Sequence, residues 1–361
     1  MNIKKIAEGF GINSENITYS ECTTGHINST YFVKVNGTDD EEYVFQKVNT
    51  SIFKKPDELM SNVFKVTEHI RKKLAEEHEV LSKTLDFLKT VSGDYGYTDE
   101  NNNYWRVYRF VTHAHSLNGA DSPEVFESSG YAFGNFQRLL SDFDASVLFE
   151  TIPNFHNTAS RLNDFKTALS NNFAGRRDSI PDDINFVLDR EDKCSFITEG
   201  IKSGKFPLRV THNDTKLNNL LWDDATEKCV CVIDLDTVMP GSVLYDFGDS
   251  IRFGASSAAE DETDLSKVYV CLDKFEAYVK GFIAGTEGAL TKEELAAFPM
   301  GAYIITLETG IRFLTDYLNG DTYFRIHYPS HNLDRARNQF KLVKSMEEQM
   351  DEMNKIIQKY I

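Results

Sequence analysis

What this 361-residue chain lacks narrows the field first. Its five cysteines (Cys22, Cys194, Cys229, Cys231 and Cys271) form no C-x-x-C pair, which leaves no dithiol motif to build on. Cys229 and Cys231 share one face of an apolar strand, a placement that suits buried thiols rather than a disulfide. No apolar run approaches the roughly 20 residues needed to span a bilayer. The opening M-N-I-K-K-I-A-E-G-F has no long apolar segment and reads as an amphipathic helix rather than a signal peptide. No basic stretch offsets a net charge of −17, so neither nucleic acid nor an anionic membrane is expected as a partner. There are no internal repeats or low-complexity tracts, and no obligate protein partner is inferred. The cytoplasm is the expected compartment.

What is present concentrates in residues 209 to 236, R-V-T-H-N-D-T-K-L-N-N-L-L-W-D-D-A-T-E-K-C-V-C-V-I-D-L-D. Asp214 and Asn219 stand five apart, the aspartate-to-asparagine spacing of a phosphoryl-transfer loop, H-x-D-x-x-x-x-N. Asp234 follows at the end of the strand C-V-C-V-I. Between them, L-L-W-D and C-V-C-V-I read as two short strands joined by a polar turn.

These residue types suit one chemistry. A transferred phosphoryl group needs Mg²⁺ held by hard oxygens, which Asp234 and the side-chain carbonyl of Asn219 supply. An acceptor hydroxyl needs a general base, the role of Asp214. His212 is expected to support the loop by packing and hydrogen bonding. Asp236 shares the face of Asp234 if the strand continues, and either binds a second metal or solvates the strand end. Downstream, Asp246-Phe247-Gly248 spells a kinase-like D-F-G, but the metal acid already precedes it. Asp246 and Asp249 are expected to cap a helix beginning near Ser250, with Arg252 as a charge partner.

The pattern predicts an α+β, two-lobed, protein-kinase-like fold. Residues 1–112 form a β-rich nucleotide-binding lobe and residues 113–361 a mainly helical lobe carrying the catalytic loop. In the first, a Gly-containing turn between strands would set Gly25, His26 and Asn28 over the phosphates of ATP. Residues 55–76 show apolar spacing typical of a helix. Phe110 to His115, with Phe110 and Thr112 as nucleotide contacts, would be the hinge that meets adenine. One strand departs from the usual pattern: Y-V-F-Q-K-V places Gln46 at the position of a phosphate-binding cation and Lys47 one residue on. Both cannot face the cleft. An inward Gln46 would make a neutral contact with Asn62. In the second lobe, the aromatic stripes (Phe133, Phe136; Phe275, Tyr278, Phe282) read as core.

The segments H-N-D-T-K-L-N-N and V-I-D-L-D resemble the motifs of the aminoglycoside phosphotransferase and choline kinase superfamily. Within it, G-H-I-N-S-T-Y, I-D-L-D-T-V-M-P-G-S, Y-D-F-G-D-S-I-R-F-G-A-S and G-I-R-F-L-T-D-Y-L-N-G-D resemble enzymes that phosphorylate the anomeric hydroxyl of N-acetylglucosamine and N-acetylgalactosamine. The resemblance implies ATP and Mg²⁺ as cofactors, Asp214 as base, and Asn219 and Asp234 as metal ligands. It also implies Arg312 and Tyr323 at the sugar, with His26 and Phe253 as weaker candidates for the same pocket. The plainer alternative for Arg312 is a salt bridge to Asp316 one turn on; for Tyr323 and Phe253 it is ordinary core.

Three other functions fit parts of the pattern. A kinase of this fold could act on another alcohol, such as choline, homoserine or a different sugar. A binding module would be expected to lack one of Asp214, Asn219 and Asp234. Glycoside hydrolysis by Asp214 and Asp234 would leave Asn219 idle.

Overall fold

A computed structural model describes residues 2–22, 27–37, 41–80, 83–117, 119 and 122–361. The chain divides into two compact units. The first holds Met1–Ser116, Asp142–Ile152 and Leu220–Met239; the second holds Leu117–Ser141, Pro153–Asn219 and Pro240–Ile361.

The first unit begins with helix α1 (Ile3–Gly9), whose N-cap Asn2 accepts from the Lys5 amide. Strands β1 (Ile17–Cys22), β2 (Ser29–Val35), β3 (Glu41–Lys47), β4 (Tyr97–Thr98) and β5 (Tyr104–Arg109) make an antiparallel sheet of order β1-β2-β3-β5-β4. Side chains alternate across it. Tyr31, Val33, Val35, Tyr43, Phe45, Trp105 and Val107 form one core with Ile3, Ile6 and Phe10 from the α1 region. Thr30, Val44, Gln46, Arg106 and Tyr108 therefore belong to the opposite face. Helix α2 (Pro56–Glu76) starts at a proline with Asp57 and Glu58 in its first turn, a favourable charge pattern for a helix N-terminus. Its buried stripe includes Leu59, Met60, Val63, Val66 and Ile70, the spacing read from sequence. Strand β6 (Ala114–Ser116) pairs with Leu220–Asp223, which pairs with Cys229–Val232. This is the hairpin expected from L-L-W-D and C-V-C-V.

The second unit is mainly helical: α3 (Pro123–Leu139), α4 (Thr158–Asn171), α5 (Pro181–Leu188), α6 (Phe196–Lys202), α7 (Val243–Gly254), α8 (Leu272–Thr286), α9 (Lys292–Ala296), α10 (Phe298–Leu318) and α11 (His331–Gln358). Helices α3 and α8 meet through two G-x-x-x-G faces, Gly130/Gly134 and Gly281/Gly285. A Cβ built at Gly281 would lie 1.9 Å from the Glu127 carbonyl oxygen, so only glycine permits this backbone approach. The aromatic stripes are core: Phe133, Phe275, Tyr278 and Phe282 are buried, with Phe247 stacked on Phe298 between them. Among the described residues, no helix is long and apolar enough to cross a membrane.

Candidate active site

The loop H-N-D-T-K-L-N-N lies in the second unit, after the short strand Arg209–Thr211. Asn213 takes a left-handed conformation (φ 66°) that turns the chain into Asp214. Asn219 donates its side-chain amide to the Asp214 carbonyl oxygen (2.7 Å) and to carboxylate Oδ2 (3.0 Å). Both bonds use the nitrogen, which directs the Asn219 carbonyl oxygen away from Asp214. A hard oxygen so directed fits a ligand for Mg²⁺. The second carboxylate oxygen, Oδ1, is 2.8 Å from Lys216 Nζ. Burial alone would lower the Lys216 pKa, but Asp214 and Asp249 raise it above its ordinary value, so the ammonium stays charged. Lys216 was not singled out in the sequence reading. Its place two residues after Asp214 was the available signal.

The loop is anchored from below by α7. Asp246 accepts from the amides of His212 (3.0 Å) and Asn213 (2.8 Å) and from Gln137 Nε2 (2.9 Å). Asp249 accepts from the Thr215 amide (3.0 Å) and pairs with Arg252. These carboxylates do not cap a helix at Ser250, as the sequence suggested. Helix α7 begins seven residues earlier at Val243, and Ser242 caps it by accepting from the Leu244 amide. Gly248 lies inside the helix, where a Cβ would come within 2.6 Å of the Gly301 carbonyl oxygen. His212 is fully buried against the edges of Phe133 and Phe136, and its Nδ1 accepts from the Asp214 amide at 3.3 Å.

In the first unit, the strand Cys229–Val232 ends two residues before Asp234. Asp234 sits at φ 58° and ψ 59°, a costly conformation for a non-glycine residue, and opens a 3₁₀ turn, Leu235–Thr237. The strand therefore does not continue to Asp236. That residue neither solvates a strand end nor presents a vacant carboxylate. It is buried, pairs with Arg106 through Oδ1, and accepts from Asn28 Nδ2 through Oδ2 at 2.6 Å. With both oxygens engaged, Asp236 is a poor candidate for a second metal ligand.

Arg106 is the buried cation on the sheet's α2 face. Its Nε donates to Gln46 Oε1 (2.9 Å), and Gln46 Nε2 donates to Thr30 Oγ1 (3.1 Å). Burial works against the charge on Arg106, but Asp236, with a further contribution from Asp234, raises its pKa above its ordinary value. Gln46 thus contacts Arg106 and not Asn62. Asn62 instead bridges the Phe149 backbone and the Val238 carbonyl oxygen. Lys47 is paired in register with Trp105 and lies on the α1 face, opposite Gln46. Arg106 escaped the sequence reading because its partners, Gln46, Met60 and Asp236, are scattered along the chain.

Asn28 also accepts from the Asn49 amide at 2.9 Å. Gly25 and His26 lie outside the described residues. The Phe110 amide donates to the Glu42 carbonyl oxygen (2.9 Å), extending the β3–β5 pairing. The Phe110 ring meets Phe32 edge-on and lines a groove of about 390 Å³ with Ser20, Phe32, Lys34 and Glu42. Thr112 is exposed.

Arg312 and Tyr323 line one cavity of about 460 Å³ in the second unit, together with Asp164, Thr315, Asn319 and Phe324. The Arg312 guanidinium lies over the rings of Phe155 (5.8 Å) and Phe324 (5.5 Å). Asp316 does not form the salt bridge with Arg312 weighed above. Its carboxylate accepts from the amides of Thr322, Tyr323 and Phe324, each at 2.9 Å, and so holds the turn that carries Tyr323. Tyr323 is 73% exposed, which is not ordinary core. Phe253 lines a different cavity, of about 180 Å³, with Thr215, Leu217 and Ser250.

The sequence matches the phosphotransferase enzyme family over residues 18–272. The chain belongs to that family, and it is a phosphotransferase. Its α+β, protein-kinase-like fold is shared with solved structures at low identity. A microcompartment-associated aminopropanol kinase aligns over 98% of each chain (14% identity, TM-score 0.57). A choline kinase from Cryptosporidium parvum covers 99% of this chain and 97% of its own (13% identity, TM-score 0.57). A spectinomycin phosphotransferase, solved with ADP and spectinomycin, covers 97% of each (12% identity, TM-score 0.57).

Proposed function

We propose that this phosphotransferase is an N-acetylhexosamine 1-kinase, transferring the γ-phosphoryl group of ATP to the anomeric hydroxyl of N-acetylglucosamine or N-acetylgalactosamine. Asp214 is the base that orients the acceptor hydroxyl and takes its proton as the new O–P bond forms. Lys216 and Asn219 fix the plane of that carboxylate. Asn219 and Asp234 are the residues that would hold Mg²⁺, which when bound neutralises charge on the phosphate oxygens. ADP bound to the spectinomycin phosphotransferase supports an adenine nucleotide as donor.

The observation that carries the choice of acceptor is the position of Arg312. Its guanidinium already covers the faces of Phe155 and Phe324 beside Tyr323. A quaternary ammonium acceptor would need such faces open. A cavity lined by Arg312, Thr315, Asn319 and Asp164 instead offers hydrogen-bond donors and acceptors to a neutral, hydroxyl-rich molecule.

³¹P NMR of the protein with ATP, Mg²⁺ and a panel of N-acetylglucosamine, N-acetylgalactosamine, galactose, choline and homoserine tests the reading. A sugar 1-phosphate from the N-acetylated sugars, absent without Mg²⁺, is expected. A phosphoester from choline or homoserine alone would keep the chemistry and reject the acceptor. Asp214→Asn should bind ATP almost normally and lose about 10³-fold or more in turnover. Retention of more than about a tenth of wild-type turnover would remove Asp214 as the base.

A further inference from the structure

The peptide unit that joins Asn213 to Asp214 is held at both ends by histidines in opposite roles. Its N–H donates to His212 Nδ1 (3.3 Å), so that nitrogen carries no proton. Its carbonyl oxygen lies 3.2 Å from His156 Nε2, and a carbonyl can only accept, so that nitrogen carries one. The other ring nitrogen of His156, Nδ1, lies 2.8 Å from Glu308 Oε1. Glu308 is wholly buried and also accepts from Thr158 Oγ1 (2.6 Å) through its second oxygen.

We infer that His156 and Glu308 form a buried imidazolium–carboxylate pair that positions the catalytic base, with His156 donating from both ring nitrogens and clamping the peptide bond before Asp214. The inference rests on Asp214 being the base and not on which acceptor is phosphorylated. Two observations support it. Burial would raise the Glu308 pKa, yet His156 and, more weakly, Arg312 bring it below its ordinary value, so Glu308 is the ionised acceptor. The imidazole is fixed in place by the Tyr245 ring at 5.2 Å and the Phe155 ring at 4.7 Å.

The pair also links two regions of the second unit. Glu308 and Arg312 are one turn apart on α10, and the Phe155 ring beneath Arg312 belongs to the residue before His156. Movement of Arg312 in its cavity would therefore be felt at the carbonyl next to Asp214.

Histidine-selective ¹⁵N NMR of the intact protein at pH 7.5 tests the assignment without any acceptor. Of the nine histidines, His156 is expected to show both ring nitrogens protonated and His212 a single one. Assignment through ring-to-backbone couplings uses the wild type, so it does not depend on a variant folding. A singly protonated His156 would overturn the inference. Kinetics supply the second arm: in His156→Gln and Glu308→Gln, kcat is expected to fall about 100-fold, with the KM for ATP within about threefold of wild type. Unchanged kcat in either folded variant would also reject a positioning role. Absence of turnover with every acceptor tested would count against the proposed reaction and leave the NMR result to decide this one.

Discussion

Two loops carry the candidate chemistry, and the protein holds them by different means. In the second unit, the loop bearing Asp214 hangs on carboxylates that accept from backbone amides: Asp246 takes those of His212 and Asn213, and Asp249 takes that of Thr215. In the first unit, the turn bearing Asp234 is held through side chains, with Asp236 paired to Arg106 and Asn28. Both arrangements satisfy a buried carboxylate, as burial requires. They differ in what can replace them. A guanidinium and its carboxylate can be exchanged together for apolar groups, whereas a backbone amide cannot be substituted away.

That difference sets the largest expected effect. Asp246→Asn places an amide nitrogen among donors and leaves backbone N–H groups of His212 or Asn213 unpaired in the core. A loss of up to about 2–6 kcal/mol is expected, from roughly 1–3 for each of the two donors, the His212 amide and Gln137 Nε2, that share one carboxylate oxygen. No second substitution at a neighbouring side chain should restore it. Calorimetry of Asp246→Asn alone and with Gln137→Leu checks this, and recovery in the double variant would contradict the backbone-anchor account.

Arg106→Met has a somewhat lower ceiling, about 3–5 kcal/mol, because it strands the Asp236 carboxylate in the interior. Here a second change is expected to help. Arg106→Met combined with Asp236→Leu should regain most of the loss, since a well-packed apolar pair often matches a buried ion pair. If the double variant is no more stable than Arg106→Met, Asp236 is not the group left stranded. The same double variant should lower turnover, through the displaced turn at Asp234, even where stability returns. Stability and activity would then separate in the first unit and not in the loop on Asp246.

The contrast also explains how much could be read from the sequence. Asp214, Asn219 and the hairpin that follows are local features, and their spacing survives in a one-dimensional string. The β-rich first unit and the buried stripe of α2 were similarly legible from alternation and helical period. Arg106 was not, because an arginine in Y-W-R-V-Y-R looks like any strand residue until positions 46, 60 and 236 meet it. Helix α7 was misread for a different reason. Asp246 and Asp249 suggested caps for a helix starting near Ser250, but both lie within the helix and accept from backbone amides that only the folded chain supplies, and Gly248 between them permits close approach to α10. His156 gave no signal at all, since its partners Asn213 and Glu308 are 57 and 152 residues away.

The smallest expected effect comes from the same backbone-anchored device in a half-exposed setting. Asp99, in the turn between β4 and β5, accepts from the amides of Asn101 and Asn103 and from Trp105 Nε1, each at 2.9 Å. Partial burial pushes its carboxyl up, but bonds from Asn103, Trp105 and the turn amides outweigh it and bring the pKa from 3.8 down to about 2. The folded value lies below the unfolded one, so ionised Asp99 stabilises the fold above about pH 4, and this contribution fades as pH falls toward 2. Asp99→Asn should therefore cost under about 1 kcal/mol at pH 7, because solvent screens an exposed site. The gap between wild type and variant should close on acidification. A gap that stays constant from pH 7 to pH 2.5 would mean that Asp99 acts by shape alone, and that burial rather than the amide anchor gives Asp246 its weight.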